Sequence, residues 1–242
     1  MDSILTNIQS KFAGLHFNEE QHRYHVEDKE FTSVSHNIHK FEEYVDWDDK
    51  AANVARANGV TKEEILQEWE DKKEEACARG TRVHLFGEKY AFDRSLKPFI
   101  LENGKSCGQE IAVTKFWNEL PSHIVPAQIE LRMYHNLFRI AGTSDILLFN
   151  TNTRKFIIAD YKTNEDLFKN FKGKTLLSPF TDLLDMPLNK YQIQLSFYQL
   201  LFELTGYKVE SRKVIWLLKT GDYIMYDCED LTPRLLQTLT IN

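Results

Sequence analysis

The chain has 242 residues, 42% of them hydrophobic and 27% charged, with a formal net charge of −6 and a pI near 5.8. It is long enough to bury a full core without disulfides or metal, its acidity argues against coating nucleic acid by bulk electrostatics, and no stretch approaches the roughly 18 apolar residues of a membrane helix. Cys77, Cys107 and Cys228 lack CxxC or CxxH spacing, which reads as three reduced thiols and argues against a zinc finger or a cysteine-ligated iron–sulfur cluster.

The opening MDSILTNIQSKF lacks the basic-then-apolar pattern of a secretory signal, so a cytoplasmic protein is expected. LHFNEEQHRYHV and the following EDKEFTSV read as two short strands joined by a polar turn, after which Ser33 or Ser35 can cap a helix toward Phe41. Thr61-Lys62-Glu63-Glu64 fits a capping box, and Ile65, Leu66, Trp69 and Ala76 mark an amphipathic helix expected to stop near Gly80. Thr81 is then expected to cap a second helix carrying His84, Leu85, Glu88 and Tyr90.

From Ile124 to Lys162 the periodicity changes to three consecutive antiparallel strands, IVPAQIELRMY, LFRIAGTSDILLF and KFIIADYKT, broken at His135-Asn136 and at Asn150-Thr151-Asn152-Thr153. Between Asn164 and Asn189 the pattern is irregular, basic and aromatic, and reads as a loop or flexible flap. LNKYQIQLSFYQLLFEL is a helix closed by Gly206, SRKVIWLLK and DYIMYDC form a hairpin around Thr220-Gly221-Asp222, and TPRLLQTLT predicts a terminal helix. This order implies an α/β (α+β) fold, a central mixed sheet flanked by helices. One domain over residues 1–242 is expected, with a helical and hairpin lobe at 1–79 before a core at 80–242.

Charge is uneven. Acids crowd Phe41 to Asp49 and Thr61 to Glu75, whereas Arg154 to Lys174 carries Arg154, Lys155, Lys162, Lys169, Lys172 and Lys174. One face can therefore meet a polyanion while the rest repels it.

The candidate chemistry lies in FIIADYKTN, residues 156–164. Asp160 and Lys162 are two apart on a strand and share a face, with Tyr161 on the other. Glu27/Lys29, Asp48/Lys50, Glu70/Lys72 and Asp71/Lys73 have the same spacing in polar or charged segments, where solvated surface charge explains them. Only Asp160 follows an apolar run that drags charge to the edge of a core, where it must be paired or hold a metal. With a turn centred near Thr151 and Asn152, Asp145 falls almost across from Ile158 and close to Asp160; it either joins Asp160 or simply caps its strand or pairs with Lys162. Two converging carboxylates favour magnesium or manganese. Lys162 beside such an ion would orient the attacking water or offset charge developing on a phosphoryl group.

Asp145 followed by Asp160-Tyr161-Lys162 resembles the PD-(D/E)XK nuclease superfamily, and two further elements resemble its RecB-like branch of bacterial and phage exonucleases. These are Gly80-Thr81-Arg82-Val83-His84, matching G-x-x-x-H, and Gln194-Leu195-Ser196-Phe197-Tyr198, matching Q-x-x-x-Y. The resemblance covers roughly Gly80 to Gly206 and implies a restriction-endonuclease-like core. It implies one or two magnesium or manganese ions held by His84, Asp145 and Asp160, with Lys162 catalytic and Gln194 and Tyr198 positioning Lys162, the phosphate or a nucleotide. Glu130 matches a recurring acid on the preceding strand and is expected to support the site. Glu88, one helical turn from His84, is expected to support it too or to pair with Arg82 or Lys89.

FKNFKGK, Phe168 to Lys174, has the aromatic and lysine interleaving of a single-strand-binding surface, or of an ordinary loop. The cysteines cannot reproduce the four-cysteine iron–sulfur cluster of some relatives, and no G-x-x-x-x-G-K-[ST] supplies ATP-driven unwinding. The expected activity is a metal-dependent DNA exonuclease acting at ends, including single-stranded ones, in recombination, repair or phage DNA processing. The rivals are a structure-selective or restriction-type endonuclease and an inactive DNA-binding subunit. Expected partners are DNA, a recombination or single-strand-binding protein, and further copies of the chain; no membrane is expected.

Overall fold

The computed structural model describes residues 2–18, 21 and 23–239. In chain order it contains α1 (Asp2–Lys11), the meander β1 (Leu15–Asn18), β2 (Arg23–Val26) and β3 (Lys29–Ser33), then α2 (Val34–His39), α3 (Trp47–Asn58), α4 (Lys62–Phe92) and α5 (Gly108–Glu119). Next come β4 (Ile124–His135), β5 (Ile140–Asn150) and β6 (Lys155–Lys162), then α6 (Pro187–Phe202) with a 3-10 turn at Glu203–Thr205, the hairpin β7 (Val209–Leu217) and β8 (Tyr223–Cys228), and α7 (Thr232–Leu236). The strands form one eight-stranded sheet. It is mixed: β3 runs parallel to β5 and β6 parallel to β7, while the other pairs are antiparallel. The expected mixed sheet flanked by helices is the fold the chain adopts.

Period-two alternation explains the layering. Leu147, Phe149, Phe156, Ile158 and Val214 face one side and pack with Leu195, Leu201 and Phe202 of α6. Ile146, Leu148, Ile157, Ala159, Tyr161 and Ile215 face the other, against Val83 and Tyr90 of α4 and Val113, Phe116 and Trp117 of α5. Each side chain buried as fully as Ile158 or Phe156 contributes on the order of 1.5–3 kcal/mol, so β5 and β6 are a rigid platform for whatever stands at their ends.

Four sequence expectations change. LHFNEEQHRYHV, expected as one strand, carries two antiparallel partners, β1 and β2, so three strands and not two precede α2. The helix expected to end near Gly80 does not: α4 is one helix of 31 residues, opened by the Thr61/Glu64 capping box. Gly80 has an ordinary helical φ, and a Cβ there would meet only Thr163 Oγ1 at 3.6 Å, so a lone helical glycine was mistaken for a terminator. The β5–β6 turn lies later than expected, with Asn150 opposite Lys155. The Asn150 side chain accepts the amides of Asn152 at 3.0 Å and Thr153 at 3.3 Å, and Arg154 takes φ +59. The segment after Asn164 is irregular as expected, but it is a packed strap and not a free flap: Leu167, Leu176 and Phe180 are buried in the core.

Candidate active site

The site forms where the β5 edge changes partner. On that edge β3 pairs with Ile140 and Ala141, and β6 pairs with Ile146 through Asn150, leaving Gly142 to Asp145 between two diverging strands. With Ile146 opposite Ala159, the register carries Asp145 to Asp160, two residues from the Ile158 expected. Here side chains replace ladder carbonyls. Asp145 Oδ2 accepts the Tyr161 amide at 2.8 Å, and Asp160 Oδ1 accepts the Asp145 amide at 3.4 Å. His84, reaching across from α4, sets its Nδ1 at 3.2 Å from Asp145 Oδ2.

Lys162 donates to Asp160 Oδ2 in a tight ion pair, and its ammonium lies 4.2 Å from the centre of the Tyr191 ring on α6. The Tyr191 hydroxyl donates to Asn164 Oδ1 at 2.7 Å, while the Trp216 indole donates to the Asn164 carbonyl at 2.7 Å. The strand end is thereby fastened to α6 and β7. Gln194 donates to the Tyr198 hydroxyl at 2.8 Å. Tyr198 is buried and supports Gln194 from beneath, so of that pair only Gln194 faces open space.

Two clefts flank the carboxylates. One, of about 420 Å³, is lined by Ser35, His39, Lys162, Asn164, Tyr191 and Gln194 among others. The second, of about 760 Å³, includes Tyr24, His84, Glu88, Glu130, Arg132 and Asp145. Glu130 thus joins the expected group, at the unusual φ of +50. Glu88 lines the same cleft, but Arg82 is taken by the buried Glu110 at 3.2 Å, so the expected Arg82–Glu88 pair does not form. The Lys162–Tyr191 contact and the Arg132 lining are absent from the sequence reading, although the three-residue spacing of Tyr191 and Gln194 places both on one helix face.

The electrostatics follow from burial and crowding. Burial and the Asp145 charge push Asp160 up to about 6. Burial and Asp145 likewise push Glu130 up to about 8. Burial also opposes ionisation of Asp145, yet His84, Lys162 and the Tyr161 amide together hold it below the usual carboxylate range. For His84, burial favours the neutral ring, but the Asp145 carboxylate overrides it and lifts the imidazole to about 9. Burial works against the Lys162 ammonium too; Asp160, Tyr191 and Asp145 outweigh it, so the lysine is held in its charged form.

A divalent cation suits this donor chemistry, which combines hard carboxylate oxygens with one imidazole. Asp160 and Glu130, pushed upward by burial and by the Asp145 charge, mark the local excess that such an ion offsets. Among the described residues no three His, Cys, Asp or Glu side chains stand in a metal-holding arrangement; His84 bonds Asp145 and Lys162 bonds Asp160.

Residues 22–238 match the sequence profile of the PD-(D/E)XK nuclease superfamily, and the chain belongs to that superfamily. Membership makes the coarse reading a metal-dependent nuclease with DNA as substrate. No curated protein matches the chain. Among solved structures, the crystal structure of SSO0001 aligns over 98% of this chain and 83% of that one, at 14% identity and a TM-score of 0.34, a likeness too slight to argue from. No helix among the described residues is long and apolar enough to cross a membrane.

Proposed function

We propose that the chain is a magnesium- or manganese-dependent DNA exonuclease of the RecB-like branch, hydrolysing phosphodiester bonds at DNA ends. The observation that carries this reading is the meeting of four sequence elements at one opened sheet edge: His84 of the G-x-x-x-H element bonds Asp145, Asp160 stands beside it, and Lys162 shares a cleft with Gln194 of the Q-x-x-x-Y element. The G-x-x-x-H and Q-x-x-x-Y elements are the ones that set that branch apart from the superfamily core.

A bound ion held by Asp145, Asp160 and His84 would polarise the scissile phosphoryl oxygen and acidify the attacking water. Lys162 is a hydrogen-bond donor and fixed charge, because its neighbours keep it protonated; it orients the water and offsets charge on the phosphoryl oxygens. Gln194, propped by Tyr198, offers its amide carbonyl to the cleft. Glu130, in the cleft beside Asp145, supports the site from the neighbouring strand.

The test is a time course on linear DNA labelled separately at each end and on covalently closed circular DNA, with manganese, magnesium or chelator, for wild type and the folded variants Asp160→Ala and Lys162→Ala. Metal-dependent shortening of linear DNA, an intact circle and loss of cleavage in both variants are expected. Cutting of the closed circle overturns the exonuclease assignment in favour of an endonuclease. Undiminished cleavage by either variant overturns the site, and no cleavage of any labelled end with manganese leaves a DNA-binding subunit.

A further inference from the structure

The fold brings together two exposed aromatic rings far apart in sequence. Trp47 opens α3 and is 57% exposed; Phe171, in the strap after β6, is 61% exposed. Lys50 joins them, its ammonium 4.3 Å from the Trp47 ring centre and 6.0 Å from that of Phe171, while Lys172 sits 5.1 Å from the Phe171 ring. Lys172 and Gly173 both take left-handed backbone, at φ +56 and +69, in a turn that returns the Lys174 amide to the Phe171 carbonyl at 3.2 Å. The other aromatic of FKNFKGK has a different place: Phe168 packs edge-on against Tyr226 and Trp216.

Three neighbouring acids are engaged, whereas the exposed Asp49 beside Lys50 has no ion pair among the described residues. Asp46 caps α3, Asp48 bonds Lys62 at 2.7 Å, and Glu43 bonds Lys174 at 2.7 Å. Lys50 and Lys172 form no ion pair among the described residues. The patch therefore offers π-faces and free positive charge together on an otherwise acidic stretch. Its position is tied to the catalytic edge. Glu42, next to Glu43, lines the Lys162 cleft, and the strap carrying Phe171 begins at Asn164 in that cleft. Trp47 meets Trp69 of α4 edge-on at 5.9 Å; Gly80 lies further along the same helix by roughly 16 Å of rise.

We propose that Trp47 and Phe171, with Lys50 and Lys172, form a stacking platform for single-stranded DNA that lies beside the Lys162 cleft. Bases of every type present a π-face, so such a surface binds a strand without reading its sequence, while the lysines meet the phosphates. A paired duplex buries its base faces and cannot use the rings. The inference rests on the nuclease reading for its purpose, and it makes a single-stranded tail the preferred substrate of that same site.

The test is binding of fluorescein-labelled (dT)12 and of a blunt duplex to the full chain in chelator, by anisotropy, with cleavage measured separately in manganese. Phe171→Ala is the primary variant because that ring is largely outside the core; Trp47→Ala serves as a second, and Phe171→Trp should restore affinity. Each alanine is expected to weaken (dT)12 binding about tenfold and leave duplex binding unchanged. Lys50→Gln and Lys172→Gln should each reduce the slope of log affinity against log salt by about 0.7. No binding of (dT)12 by wild type, or undiminished binding by Phe171→Ala and Trp47→Ala together, overturns the platform, the second with the nuclease reading intact if cleavage persists. Platform-dependent binding without any cleavage sinks the nuclease reading alone.

Discussion

The Lys162 ammonium is held between two unlike partners, the Asp160 carboxylate and the Tyr191 ring 4.2 Å away. A lysine at a strand end has several rotatable bonds, and an ion pair alone leaves it free to swing about the carboxylate; the ring face removes that freedom. Cation–π contacts contribute on the order of 0.5–2 kcal/mol, so Tyr191→Leu should lower kcat about tenfold with KM nearly unchanged. Tyr191→Phe keeps the face and loses only the hydroxyl bond to Asn164, and should stay within about threefold of wild type. Steady-state cleavage kinetics check this; equal kcat for the leucine variant and wild type would remove Tyr191 from the positioning of the lysine.

Binding of a divalent ion should also appear in stability, independently of turnover. Asp160 and Glu130 are pushed up to about 6 and about 8 by burial and by the Asp145 charge, and a cation placed among them relieves that repulsion. An ion at a hundredfold above its Kd adds about 2.7 kcal/mol to the folded state, or roughly 5–10 °C in Tm for a chain of this size. Thermal unfolding in chelator and in manganese is the measurement. The increment is expected in wild type and should vanish in Asp145→Asn and Asp160→Asn; an equal rise in both variants would mean that the ion binds elsewhere.

The legible part of the site was the part written in short-range periodicity. The shared face of Asp160 and Lys162 follows from a two-residue repeat, and that of Gln194 and Tyr198 from a helical one. The apolar run Phe156 to Ala159 announced a buried strand, and it is one. Register was less legible, because it depends on the turn: the Asn150 side chain captures two amides and shifts the β5–β6 pairing by two residues, which sets Asp145 opposite Asp160. Helices α3 and α5 were not read at all. Buried polar Gln109 and Glu110 interrupt the apolar stripe of α5; Gln109 donates to the Thr163 carbonyl at 3.1 Å, and Glu110 accepts the Phe99 amide at 2.6 Å. Nor does sequence spacing reveal that two strands share one edge of β5, although that shared edge opens the site.

Three helical glycines that look alike in sequence should respond differently to alanine, and their order tests how α4 and α5 seat against the sheet. At Gly108 a Cβ would stand 1.9 Å from the Lys219 carbonyl oxygen, a backbone atom of the β7–β8 turn; Gly108→Ala must push that turn aside and should cost the most, above about 3 kcal/mol. At Gly87 it would meet Tyr161 Cε2 at 2.6 Å, and the buried ring can yield only slightly, so Gly87→Ala should cost roughly 1–3 kcal/mol. At Gly80 the nearest atom is Thr163 Oγ1 at 3.6 Å, an ordinary contact; there the gain in helix propensity dominates, and Gly80→Ala should stabilise by up to about 1 kcal/mol. The sign at Gly80 separates two structures. A glycine ending a helix sits at positive φ, where alanine destabilises, whereas one inside an unbroken α4 is improved by it. Urea unfolding of the three variants decides, and a destabilised Gly80→Ala would mean that α4 breaks just before His84, leaving the imidazole on a separate helix from the capped segment that anchors it.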